Sequence, residues 1–309
     1  MLLFESPTAM PDDFGPSAVS IGKFDGMHAG HRRVIAGLRA VAAAEGLQSV
    51  AVTFDRNPLS LLRPELCPAP LLSNAQKIEL LDESGLDATL MLEFNQERAS
   101  QAPEDFVREV LVDTLHARVL LVGADFRFGS KGAGDVALLE TLGEQYGFRV
   151  QRIDDVVDGE RRASSTWIRE LLDAGQVAEA TRLLERSPSI RAVVVGGHQR
   201  GRELGYPTAN LSHDVEGFVP ADGVYAARLV VDGEKYGAAV SIGNNPTFEG
   251  IPDKTVEAHA LDQSFDLYGK TVGLEFVEFI RSMKKFPNAE ELVKQMNADE
   301  VRIRSILGL

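Results

Sequence analysis

Two histidines three residues apart, His28 and His31, stand in a turn that also contains Gly22, Gly26 and Gly30. Imidazoles donate to charged oxygens or hold a metal, and glycines let an anion approach backbone N–H groups. A metal site needs further ligands. The chain has only 6 His and 1 Cys, and no carboxylate or thiol with ligand spacing stands near the pair. Nucleotide phosphate chemistry is therefore the expectation, over a plain turn with a capping histidine. Three other stretches are candidates. Ser164-Ser165-Thr166 precedes Ile168, Leu171 and Leu172, an N-cap pattern that is either a plain helix start or, with Arg162 and Arg169 beside it, a second anion cradle. Residues 123–134 combine four glycines, Arg127, Lys131, Phe126 and Phe128, the composition of a lid over a planar phosphorylated ligand or of a surface loop with an aromatic plug. Gly196 to Asn210 is glycine-rich without a Walker sequence, and Val256 to Ala260 alternates so that Glu257 and His259 share one strand face.

The elements that must position these residues are legible from periodicity. Ala18–Ile21 reads as a short strand and His31–Glu45 as a helix closed by Gly46, so the histidine turn joins a first strand to a first helix. Strands over 48–54, 88–92, 118–122 and 148–153 alternate with helices at 74–84, 103–116 and 135–146, the first of these opened by the capping-box residues Ser73 and Gln76. Alternation of this kind predicts a mostly parallel, Rossmann-like sheet with helices on both faces and ligands at the carboxyl ends of its strands. Helices over 165–174 and 177–185 lead to Ser187-Pro188-Ser189, where the period changes to two. Strands at 192–195, 224–231, 236–242, 255–261 and 272–280 then predict a small antiparallel β-barrel, followed by a helix over 288–307. The expected division is 1–186 and 187–309.

At 309 residues with 44% apolar side chains, the chain is long enough for two cores. A net charge of −14 disfavours an extended nucleic-acid or anionic-membrane surface. No basic leader and no run of membrane-span length is present, and a lone Cys67, best read as an ordinary small apolar residue, excludes an internal disulfide. A cytoplasmic protein with small-molecule partners is expected, and a homo-oligomer stays open.

Phe24-Asp25-Gly26-Met27-His28-Ala29-Gly30-His31 resembles the H-x-G-H signature of nucleotidyltransferases, in the form carried by bacterial bifunctional riboflavin kinase/FMN adenylyltransferases (FAD synthetases). The resemblance extends to Val122-Gly123-Ala124-Asp125-Phe126-Arg127-Phe128-Gly129, to Ser164-Ser165-Thr166-Trp167-Ile168-Arg169, to Gly201–Asn210, which is similar to the riboflavin kinase signature, and to Val256-Glu257-Ala258-His259. Asp222–Tyr225, Asn245–Phe248 and Leu267–Lys270 are further matches. It implies that ATP and riboflavin give FMN in the barrel, and that ATP and FMN give FAD and pyrophosphate in the N-terminal domain, both with Mg²⁺. By this resemblance Gly22, Phe24, Gly30, Asp125, Arg162, Ser165, Thr166 and Arg169 bind nucleotide or phosphate, Phe128 stacks on the flavin, Thr208 and Asn210 hold Mg²⁺, and Glu257 is the base. Where the family reads F-D-P-H-P, this chain has Phe54-Asp55-Arg56-Asn57-Pro58. That departure leaves two alternatives beside the bifunctional enzyme: a kinase with impaired adenylyl transfer, and a regulator that binds flavin or nucleotide without turnover.

Overall fold

The computed structural model describes residues 1–159, 161–196, 206–244 and 254–309. Contacts divide the chain into two compact units, Met1–Ser164 and Ser165–Leu309. In the first unit the apolar runs form β1 (Leu2–Phe4), β2 (Ser17–Ile21), β3 (Gln48–Phe54), β4 (Ala88–Leu92), β5 (Ala117–Gly123) and β6 (Arg149–Ile153), all parallel in the order β1-β4-β3-β2-β5-β6. Helices α1 (Ala29–Glu45), α2 (Pro58–Leu62), α3 (Asn74–Glu83), α4 (Gln96–Ser100), α5 (Pro103–Phe106) and α6 (Val136–Tyr146) connect them. Two apolar layers result. Val19, Val50, Leu90 and Leu120 pack with Val107, Leu111 and Leu139 on one face, while Ala51, Val119 and Leu121 pack with Ile35, Leu38 and Leu81 on the other. The order reverses direction between β2 and β5, so the turn after β2 and the loop after β5 rise side by side from neighbouring strand ends, where open α/β sheets bind ligands.

Two features depart from the sequence reading here. β1 is an added edge strand, and the helix expected over 103–116 continues beyond α5 as a π-helical segment, Val107–Thr114, in which Val107, Val110 and Leu111 are buried. A two-stranded ribbon, β7 (Val157–Asp158) with β8 (Arg161–Arg162), closes the unit.

The second unit opens with α7 (Ser165–Asp173) and α8 (Val177–Leu184) and continues as a closed antiparallel barrel. Its strands are β9 (Ser189–Val195), β10 (Ala209–Leu211), β11 (Gly223–Val231), β12 (Glu234–Asn244), β13 (Lys254–Ala260) and β14 (Thr271–Arg281), in the order β10-β13-β12-β11-β14-β9. The C-terminal helix α9 (Ala289–Leu307) is capped by the Asn288 side chain, which accepts from Glu291 N at 2.9 Å, and ends on left-handed Gly308. Its Ile303 packs with Val224, Ala226 and Ile280 against the barrel wall. The division by contacts falls before α7, ahead of the expected linker at 187–189, because α8 packs on β14 and Ala221 N donates to the Leu172 carbonyl at 2.9 Å. Among the described residues no helix is long and apolar enough to cross a membrane.

Candidate functional sites

The turn after β2 is held in an unusual backbone. Phe24 and Met27 take φ of +48° and +42°, Gly26 takes +87°, and both large side chains are buried. Residues other than glycine enter this region at a cost that the surroundings must offset, and such strain gathers at functional turns. Phe24 fills the core beside α1 and presents its ring edge to His31, with centroids 5.4 Å apart. His28, at the N-cap of α1, stacks on His31 with centroids 3.8 Å apart and planes 24° apart. Gly30 leaves room for that ring, since a Cβ there would lie 3.0 Å from His28 Cε1. His31 Nδ1 is sealed from solvent and has no hydrogen-bond partner among the described residues. Burial, with the charges of His28, Arg162 and Lys23 adding to it, holds the His31 imidazole well below its ordinary pKa. His31 is accordingly neutral near pH 7.

Two of the residues expected to touch nucleotide are placed otherwise. The Gly22 N–H donates to the Val52 carbonyl at 3.0 Å and so extends the sheet, and a Cβ at Gly22 would press on the Phe24 ring at 3.2 Å. Phe24 is 1% exposed. Both residues therefore shape the turn and orient His31 from behind.

Beside the turn a cavity of about 330 Å³ is bounded by Lys23, Asp25, Asp55, Arg56, Cys67 and Lys77. The residues that depart from the family pattern are engaged here. Arg56 donates through Nε and Nη2 to Asp55 Oδ2 at 2.9 and 2.7 Å, Asp55 Oδ1 accepts from Phe94 N, and the Asn57 side chain caps α2 by accepting from Leu59 N. Lys77, which the sequence reading passed over, is buried with its Nζ donating to the Phe54 carbonyl at 2.6 Å. Burial lowers its pKa, against the opposing pull of Asp25 and Asp55. The available signal was its place on α3 between the buried positions Gln76 and Leu81.

In the loop after β5, Phe128 and Gly134 pair as an isolated bridge, and Ser130 N donates to the Gln101 carbonyl at 2.8 Å. Phe128 is 7% exposed, belongs to the core with Phe106, and carries Phe126 stacked on it at 5.7 Å. Phe128, expected to stack on the flavin, is thus the buried backing ring, and Phe126 is its half-exposed front. Asp125 and Arg162 are brought together, with Nη1 to Oδ2 at 2.7 Å, and Arg162 Nε reaches Asp155 at 3.0 Å. The bond from Arg162 draws the Asp125 carboxyl below the usual range. Asp125 thus aims Arg162. Ser165, Thr166 and Arg169 occupy the first turns of α7, whose buried face is Ile168, Leu171 and Leu172.

In the barrel, β10 and β13 pair with Asn210 opposite Glu257 and Ala209 opposite Ala258. Val256 and Ala258 are buried, so Glu257 and His259 occupy the opposite face of β13. Thr208 Oγ1 donates to Glu257 Oε2 at 3.4 Å, and Asn210 Nδ2 to the Thr208 carbonyl at 3.5 Å. Three oxygen-bearing side chains converge, a donor set that suits a hard, partly hydrated cation such as Mg²⁺. A cavity of about 260 Å³ opens beside Thr208, with an apolar wall of Leu229, Ala258 and Leu267 and the exposed rings of Phe265 and Tyr268 at its mouth. Most of the glycine-rich stretch, 197–205, and the match at Asn245–Phe248 lie outside the described residues.

A family model for FAD synthetase matches residues 11–167, and one for riboflavin kinase matches residues 184–307. The bifunctional riboflavin kinase/FMN adenylyltransferase of Escherichia coli (strain K12) is 35% identical over 294 residues, covering 94% of this chain and 93% of its own length. The Pseudomonas fluorescens protein of the same description is 36% identical over 287 residues, covering 93% and 92%. Among solved structures, one described as a macrolide-efflux protein from Streptococcus pneumoniae superposes with a TM-score of 0.87 at 30% identity, covering 98% of both chains.

Proposed function

Because the chain belongs to the bifunctional riboflavin kinase/FMN adenylyltransferase family, and so phosphorylates riboflavin to FMN and adenylylates FMN to FAD with ATP, we propose how its own residues divide that work. Adenylyl transfer is assigned to 1–186 and the kinase reaction to 187–309. In the first, an FMN phosphate oxygen attacks the α-phosphorus of ATP and pyrophosphate leaves. The nucleophile is already ionised, so no strong base is required, and His28 and His31 act as donors to the charge that grows on the transferring phosphoryl group. Their stacking in the turn after β2 carries this assignment. A neutral His31 suits it, since an arriving polyphosphate favours the proton that the buried ring lacks before ATP enters. Arg162, aimed by Asp125 and Asp155, is assigned to phosphate, and the family resemblance assigns Ser165, Thr166 and Arg169 to phosphate as well. Phe126, backed by Phe128, is the stacking surface for the flavin.

In the kinase reaction Glu257 accepts the proton of the riboflavin 5′-hydroxyl as that oxygen attacks the γ-phosphorus and ADP leaves. Thr208 and Asn210 would hold Mg²⁺, which when bound neutralises phosphate charge. The cavity beside Thr208, apolar on one wall and polar on the other, suits the adenine base. The single cysteine supports a cytoplasmic setting. Incubation with riboflavin and Mg·ATP, with flavins separated by chromatography, tests the division. The double replacement His28→Ala/His31→Ala should stop at FMN, and Glu257→Ala should form FAD only when FMN is supplied. Loss of FMN formation in the still-folded histidine variant would refute the two-site assignment.

A further inference from the structure

Three contacts outside the residues assigned above converge on one end of the barrel. The Tyr206 hydroxyl, three residues before β10, donates to Asn297 Oδ1 of α9 at 2.5 Å. Asp262, two residues beyond β13, receives Arg304 of α9 through Nη1 and Nη2, each at 2.7 Å. His259 donates Nδ1–H to the Pro207 carbonyl at 2.8 Å, with its ring lying edge to face against Tyr206 at 5.1 Å. β10 and β13 are antiparallel, so the start of one and the end of the other lie at the same end of the pair. Asn297 and Arg304 are seven residues apart, about two turns and some 10 Å along one face of α9. Glu300 stands between them and holds the Arg304 guanidinium at 2.8 Å, which orients it toward Asp262 before the pair forms. Asp262 is also one of few residues other than glycine with positive φ, at +57°. Pro207 and Thr208 on one side and Gln263, Ser264 and Phe265 on the other are the lips of the barrel cavity.

We propose that α9 is a clamp on the kinase site, in which Asn297 and Arg304 fix the two segments that form the lips of the cavity and thereby position Thr208 beside Glu257. The idea rests on the assignment of the kinase site to the barrel. Tyr206, Asn297, Asp262 and Arg304 are positioning residues, and His259 is the inner stitch that ties the Pro207 carbonyl to the strand bearing Glu257. An isolated surface ion pair contributes little, but a bidentate guanidinium held by a second carboxylate belongs to the arrangements that retain one geometry. The clamp therefore acts on alignment more than on overall stability.

The test uses the full-length chain. Tyr206→Phe and Asn297→Ala should each lower kcat for riboflavin phosphorylation about fivefold, the effect of one hydrogen bond expressed in the transition state. The KM for riboflavin should change by less than about twofold, and FAD formation from supplied FMN should stay unchanged in the same preparations. The double variant should lose no more than either single one, since both remove the same bond, and Asn297→Asp, which keeps the accepting oxygen, should restore kcat. An unchanged kcat in either single variant, or losses that multiply in the double, would overturn the clamp. Glu257→Gln separates the two levels of the argument. If Glu257→Gln is inactive while Asn297→Ala is fully active, the clamp alone fails; if Glu257→Gln phosphorylates riboflavin normally, the site assignment fails and the clamp with it.

Discussion

Replacing Gly30 with alanine inserts one methyl group against the His28 imidazole without disturbing the backbone. Gly30 is the second residue of α1, where alanine gains about 0.5–1 kcal/mol of helix propensity. The new Cβ would lie 3.0 Å from His28 Cε1 and 3.1 Å from Nδ1, with the Ala163 carbonyl at 3.8 Å on the other side. Restoring ordinary contact moves the ring by about 0.4 Å, and the His31 stack at 3.8 Å leaves the ring no room to yield in that direction. Overpacking of this size costs about 1–3 kcal/mol, so the net loss of stability is at most roughly 2.5 kcal/mol and the chain stays folded. Misplacing a reacting group by about 1 Å costs on the order of 100-fold in rate, and 0.4 Å scales to about sixfold. FAD formation from FMN and Mg·ATP should therefore fall about five- to tenfold while FMN formation from riboflavin is unchanged. Stopped assays with chromatographic separation, paired with a thermal melt, read both quantities. Full adenylyltransferase activity in Gly30→Ala, or equal loss of both activities at an unchanged melting temperature, would refute the argument that His28 must keep this position.

Two other outcomes follow from burial. His31 has a folded pKa below its ordinary 6.5, so below that pH the unfolded chain binds a proton that the folded chain refuses; stability is fully present above about pH 6.5 and declines as pH falls toward the folded pKa, by up to about 1.4 kcal/mol per pH unit. His31→Asn should flatten the melting temperature between pH 6.5 and 5 relative to the parent chain, and identical slopes would show that His31 is not held neutral. A fragment of residues 187–309 should convert riboflavin to FMN, yet melt about 10 °C or more below a fragment of 165–309, because α7 and α8 supply the Leu172 carbonyl to Ala221 and cover Phe279 near Gly175, worth about 2–4 kcal/mol. Equal melting temperatures would show that the two helices do not brace the barrel.

Periodicity located the parallel strands within a residue or two because their runs are continuous and buried on both faces, as in Ser17–Ile21 and Gln48–Phe54. It passed over β1 and β10, which have three residues each and carry no period: Leu2 and Leu3 are exposed at a sheet edge, and Ala209–Leu211 lies inside a polar motif. The π-helical segment at Val107–Thr114 was equally hidden, since the same apolar spacing serves an ordinary helix. The change of period at Ser187-Pro188-Ser189 marks where the barrel strands begin. It says nothing of which neighbours two amphipathic helices choose, and α8 chose β14.

Spacing in sequence identifies which residues gather at a site more readily than what each one does there. His28, Gly30 and His31 converge as their spacing implies, but Gly22 and Phe24, read from the same turn, are consumed by a sheet hydrogen bond and by the core. The difference lies in what surrounds them: a turn that strains its backbone at Phe24 and Met27 must bury those side chains to offset the strain, and only the short residues and the imidazoles then remain at the mouth. The same logic applies to the departure from the family pattern at residues 55–57. Arg56 donates through two of its five N–H groups to Asp55, and the Asn57 oxygen caps α2. Both substituted residues are tied into local structure beside the cavity, while Arg162, the guanidinium that two carboxylates hold in place, stands near the histidine turn.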